Sequence, residues 1–106
     1  HIAWEGEYNV PEETEIVINA TSIGLGDASA RVPVAADSLL PTMVAADVVF
    51  NPPGTQFLRL AAARGSQTLD GLGMLVNQAV IGFAIWTGVE PKPQVMREAL
   101  EEFLAE

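Results

Sequence analysis

Asn77 and Gln78 are adjacent side-chain amides inside an otherwise apolar run from Leu72 to Trp86. An amide in such surroundings must find hydrogen-bond partners or cost about 1–3 kcal/mol. Those partners can be local backbone and water, or they can belong to a bound polar molecule. Two glycine pairs have part of the spacing of a phosphate-binding turn: Gly24 with Gly26, and Gly71 with Gly73 in Asp70-Gly71-Leu72-Gly73-Met74. Neither pair has the third glycine of the G-x-G-x-x-G turn that opens a dinucleotide-binding fold.

Other chemistries lack their residues. With no cysteine and a single histidine, His1, the chain offers no disulfide, no thiolate nucleophile, no Ser-His-Asp triad and no ordinary zinc site. No metal is expected. Lys92 stands between Pro91 and Pro93 at an expected surface turn, where a solvated charge is the natural reading. The formal charge of −9, from 14 acidic and 5 basic side chains, provides no basic stripe for neutralising phosphates, so nucleic acid and anionic membranes are not expected partners.

The elements that must position these residues follow from the pattern. Glu15 to Asn19 is a β-branched run that ends in Ala20-Thr21-Ser22 and a glycine-containing loop, which predicts a buried strand. Val44 to Phe50 predicts a second strand, stopped by Asn51-Pro52-Pro53-Gly54, where two prolines cannot donate to a ladder. Thr55 is placed as N-cap of a helix from Gln56 to Arg64, and Gly65 to terminate it. Gln67 to Asp70 predicts a short third strand. A long apolar helix follows and closes at Gly88, and Pro91 and Pro93 introduce an acidic amphipathic helix reaching Glu106. Strands separated by helix-length stretches imply parallel crossovers and an α/β fold. If this α/β fold is a Rossmann-like NAD(P)-binding domain, the missing opening turn makes the chain its second mononucleotide half followed by C-terminal helices, with His1 to Trp4 the trailing end of the first half.

The apolar run from Leu72 is shorter than the roughly 20 residues a membrane span needs and has no basic flanks. A helix apolar on nearly every face is instead expected to be buried between other elements. No secretory leader is expected, and a cytoplasmic setting fits the absence of cysteine.

Three strings together resemble the shikimate/quinate dehydrogenase family: Asn19-Ala20-Thr21-Ser22-Ile23-Gly24-Leu25, then Asp47-Val48-Val49-Phe50-Asn51-Pro52-Pro53-Gly54-Thr55, and above all Asp70-Gly71-Leu72-Gly73-Met74-Leu75-Val76-Asn77-Gln78. They occur in the family's order and spacing, and Trp86-Thr87-Gly88 before a proline-led terminal helix also matches. The resemblance covers essentially the whole chain and implies its C-terminal part, with residues 1–70 supplying strands and crossover helices and residues 71–106 the closing helices. The substrate domain, with its catalytic Lys and Asp, and the glycine-rich loop would lie upstream, so no catalytic residue is assigned here. The implied activity of the whole protein is the NADP-dependent, reversible reduction of 3-dehydroshikimate to shikimate, a step of aromatic amino-acid and chorismate biosynthesis. A quinate-type enzyme preferring NAD is the alternative, and a non-catalytic nucleotide-binding or interaction module is a different class.

The resemblance also implies roles for single residues. Ala20, Thr21 and Ser22 would lie along the dinucleotide, at the carboxyl end of a strand. Each also reads as an ordinary strand-to-loop turn. Val48, Gly71 and Met74 would sit near the nicotinamide, the glycine through close backbone approach and the methionine as an adaptable apolar surface. Gln78 would hydrogen-bond hydroxyls of a small cyclic substrate, while Asn77, about 100° away on a helix, is given no such part. Phe50 stands where many relatives have a tyrosine, keeping the ring but losing the hydroxyl donor. A sheet cut through its middle would expose the Glu15 to Asn19 edge and favour self-association.

Overall fold

A computed structural model of the chain describes residues 6–104, so the expectation for His1 to Trp4 lies outside the described residues. Three short strands form a parallel sheet in the order β1 (Ile16–Asn19), β2 (Val44–Asp47), β3 (Gln67–Leu69). Helix α1 (Gln56–Ala63) crosses from β2 to β3, and a short 3-10 turn, Ala36–Ser38, lies in the longer crossover from β1 to β2. Helices α2 (Gly71–Thr87) and α3 (Pro93–Leu104) follow as a hairpin.

The predicted α/β fold is present and each predicted strand and helix is found, but the strands are shorter. Strand β1, expected to be buried, leaves Ile16 and Ile18 exposed because no described element covers that face. The predicted helix end at Glu106 lies outside the described residues. β2 stops at Asp47, three residues before Phe50, because its neighbour stops too. The Val48 amide donates to the Asn19 carbonyl, and β1 offers nothing beyond it. The cap positions follow the side chains expected: Thr55 Oγ1 accepts from the Leu58 amide at the start of α1. Gly65 and Gly88 adopt the left-handed backbone, at φ of 87° and 70°, that glycine enters without a Cβ penalty.

One face of the sheet carries the core. Leu39, Met43, Ala45, Phe57, Leu58 and Ala61 form a closed cluster that joins α1 to β2 and to the crossover. Val10 and Val34 extend it toward the amino-terminal segment, where Tyr8 bridges in parallel to Val34. The opposite face is uncovered: Ile18, Ala46 and Leu69 are level in the register, and Ile18 and Leu69 are more than half exposed.

The apolar helix α2 departs from its expected burial. Only Gly71, Leu72 and Val76 are buried, whereas Ile81, Ile85 and Trp86 are 61%, 74% and 85% exposed. The reason is one-sided packing. Met96, Leu100 and Phe103 of α3 share a groove with Leu75, Val76 and Ala79 of α2, and no other described element runs along its length. Among the described residues no helix is long and apolar enough to cross a membrane.

Candidate functional site

The carboxyl ends of β1 and β2 carry a continuous set of hydrogen bonds. Asn19 and Asp47 are register partners, and the Asn19 side-chain amide donates to Asp47 Oδ1 at 3.1 Å and to the Ile23 carbonyl at 3.2 Å. Asp47 Oδ1 also accepts from the Val49 amide at 2.9 Å, and Asp47 Oδ2 accepts from Thr55 Oγ1 at 2.7 Å. On the far side, Asn19 Oδ1 accepts from both the amide and the hydroxyl of Thr21, and Thr21 Oγ1 accepts from the Ile23 amide. The loop Ala20-Thr21-Ser22 is therefore exposed at its surface and tied down from beneath. The local turn read for Thr21 is present, and a hydroxyl with two acceptor lone pairs keeps one for another donor.

Gly71 begins α2 directly against the end of β2. A Cβ at this position would overlap the Val49 carbonyl and lie 2.8 Å from the Val48 carbonyl carbon, so the close approach that glycine permits here is to the protein's own backbone. Asp70 caps the same helix, Oδ1 accepting from the Gly73 amide at 2.7 Å. Arg97 of α3 reaches across to Asp70, and that hydrogen bond, ahead of the others, holds the Asp70 carboxyl below its usual range.

An open cavity of about 500 Å³ lies between these parts, bordered by Asp47, Val48, Asp70, Met74, Asn77 and Arg97 with the bare sheet face beneath. It brings together two of the residues singled out in the sequence, Val48 and Met74. Ala20 and Thr21 border a second cavity along the β1 edge, with Tyr8 and Phe57. Gln78 borders a third, between Leu75, Phe83, Trp86 and Met96. Gln78 is exposed and its amide makes no hydrogen bond among the described residues, so packing does not use it. Asn77, given no part from the sequence, shares the cavity of Val48 and Met74. Ser22 is exposed and Phe50 half-buried, and neither borders these three cavities. Sequence reasoning passed over Asp47, Asp70 and Arg97. A lone acid in the middle of the apolar run from Val44 to Phe50 was the available signal for Asp47.

The cavity suits a flat, partly apolar group. It opens at the carboxyl ends of parallel strands, where such sheets bind ligands, and Met74, 47% exposed, offers it an adaptable apolar surface. Among the described residues no cluster of acids and histidines could hold a metal ion.

Residues 71–101 match the family profile described as the Shikimate 5'-dehydrogenase C-terminal domain. The NADP(+) shikimate dehydrogenase of Microcystis aeruginosa is 43% identical over 101 residues, which is 92% of this chain and 35% of that protein. Among solved structures, the ligand-free 5-ketofructose reductase of Gluconobacter sp. strain CHM43 superposes with a TM-score of 0.91 at 54% identity, over 95% of this chain and 36% of that one. Shikimate 5-dehydrogenase from Thermus thermophilus, in complex with NADP(H) and shikimate, gives a TM-score of 0.74 at 40% identity, over 83% of this chain and 33% of that one. The parallel sheet with a helical hairpin at its carboxyl edge is thus the fold these solved enzymes share over the matched part. The chain belongs to the shikimate/quinate dehydrogenase family, and corresponds to the C-terminal part of its members. It spans about a third of the length of the relatives it matches.

Proposed function

We propose that this chain forms the second half of the cofactor domain of a longer NADP-dependent dehydrogenase, which reversibly reduces the ring carbonyl of 3-dehydroshikimate to shikimate in aromatic amino-acid biosynthesis. The observation that carries the reading is the cavity at the strand ends, which Val48 and Met74 both border, in a chain 43% identical to an NADP(+) shikimate dehydrogenase. The nicotinamide, when bound, supplies or accepts the hydride. The chain's own part is placement: Val48 and Met74 form an apolar wall for the ring, Ala20, Thr21 and Ser22 line its path, and Gln78 turns its free amide toward substrate hydroxyls. Gly71 acts by letting α2 seat against β2. The proton-transferring Lys and Asp belong to the remainder of the longer protein, so residues 1–70 and 71–106 serve as strands with crossovers and as closing helices. A cytoplasmic location goes with this reading.

A second reading is favoured by the 54% identity to 5-ketofructose reductase and by Phe50, which lacks a phenolic donor. On that reading the substrate is an oxidised sugar, a polyhydroxy ketone without the ring carboxylate. The deciding experiment follows NADPH consumption by the longer protein with 3-dehydroshikimate and with 5-ketofructose. Preferential turnover of the first supports the first reading. Turnover of the second alone transfers the function to the sugar, and turnover of neither removes both. By itself, the 106-residue chain is proposed to self-associate through the open β1 edge, whose Ile16 and Ile18 are 61% and 58% exposed.

A further inference from the structure

Asp47 is 2% exposed, and no cation pairs with it among the described residues. Burying a carboxyl group is costly unless its hydrogen bonds are made, and an apolar side chain of similar volume would often serve packing as well or better. Here three donors converge on it, and they come from three different segments: Asn19 from the end of β1, Val49 from the end of β2, and Thr55 from the start of α1. Asn19 passes the constraint onward, because the oxygen of the amide that donates to Asp47 receives both Thr21 groups. Asp47 borders the strand-end cavity, yet both its oxygens are already engaged within the protein.

We propose that Asp47 is the positioning residue of this site, holding the Ala20-Thr21-Ser22 loop and the Val48–Val49 backbone at a fixed separation so that both face one cofactor. The inference rests on the cofactor role given above to those two segments. Asp47 itself touches neither cofactor nor substrate. Its effect on binding passes through Asn19 to Thr21 on one side and through the Val49 amide to Val48 on the other.

The test uses the longer protein with Asp47→Ala, Asp47→Asn and, as a control, Ser66→Ala, which removes the remote hydrogen bond from Ser66 Oγ to the Leu40 carbonyl. Asp47→Ala is expected to raise KM for NADP about tenfold or more while kcat changes less than about threefold. Asp47→Asn is expected to restore most of the affinity. Its amide oxygen still accepts from Asn19 and Val49, and its NH2 finds the Thr55 hydroxyl. Ser66→Ala should lower the thermal midpoint and leave KM for NADP unchanged. If Asp47→Ala does not fold, Asn19→Ser, which shortens the same link and keeps a polar group in the slot, carries the same expected rise in KM. An unchanged KM in a folded variant overturns the proposal, as does an equal rise in Ser66→Ala. Amide hydrogen exchange separates this from the functional reading: the amides of residues 20–23 should exchange faster in Asp47→Ala than in the unsubstituted protein. If the unsubstituted protein uses no NADP, the functional reading falls, and unchanged exchange at 20–23 would then overturn the positioning role as well.

Discussion

Asp70 and Arg97 lock the first turn of α2 to the second turn of α3: the guanidinium donates to both carboxylate oxygens, Nη2 to Oδ2 at 2.7 Å and Nη1 to Oδ1 at 3.3 Å, while Oδ1 also caps the Gly73 amide. One carboxylate therefore starts a helix and fixes the angle of its partner. Arg97 is further steadied by Glu101, one turn on, at 2.8 Å.

Removing this residue should be felt twice. Asp70→Ala in the longer protein loses an N-cap, worth about 0.5–2 kcal/mol, and frees Arg97. Arg97→Ala loses only a partly exposed ion pair, typically below about 1 kcal/mol. Thermal midpoints should fall in that order, and a double-mutant cycle should show the two substitutions to be less than additive.

The same pair sets an acid limit. Because the Arg97 hydrogen bond lowers the folded-state pKa of Asp70, its stabilisation is complete above the ordinary carboxylate range and is lost as pH falls through the lowered value. Midpoints measured downward from about pH 4, the ordinary aspartate value, should drop more steeply in the unsubstituted protein than in Arg97→Ala. Parallel curves would remove the pair from the acid response.

Gly71→Ala tests the seating of α2. The added methyl overlaps the Val48–Val49 backbone, which cannot rotate away as a side chain could. Overpacking of this kind costs about 1–3 kcal/mol. The expected result is a lowered thermal midpoint together with weaker NADP binding, because the strand end that borders the cavity is the part that moves. A lowered midpoint with unchanged NADP affinity would confine Gly71 to packing.

Gln78 and Asn77 make opposite predictions for the substrate. If Gln78 binds it, Gln78→Ala should lower kcat/KM by about 2- to 100-fold with NADP affinity and melting nearly unchanged, as its exposed, unbonded amide suggests. Asn77→Ala should leave substrate kinetics alone and shift NADP affinity at most, since Asn77 borders the Val48–Met74 cavity. Equal effects of the two on substrate kinetics would end the assignment.

The local elements were legible because their signals are local: β-branched runs, a threonine before a helix, glycines where the backbone turns left-handed. Ile18 and Trp86 show what was not. Their composition predicted burial, and they are exposed because burial needs a second surface that the pattern of one segment cannot supply. The Asp70–Arg97 pair, 27 residues apart, was hidden for a related reason. Nothing near either residue marks the other, and only the turn between α2 and α3 brings them level. The site residues divide along the same line. Val48 and Met74 border one cavity because the order of strand and helix was read correctly, although β2 ends three residues early, whereas the tie from Asp47 to Thr21 needed the register of two strands.

That register has a kinetic meaning. A parallel ladder cannot start from a tight hairpin, and the bond between Asn19 and Asp47 closes a loop of 28 residues before it returns any stabilisation. Sheets built this way assemble late and slowly compared with helical hairpins. α2 and α3, joined by a short turn, are expected to pair well before β1 docks on β2. The strand-end cavity would then be among the last features to form, and a slow refolding phase reporting on the Asn19–Asp47 bond should limit the recovery of cofactor binding.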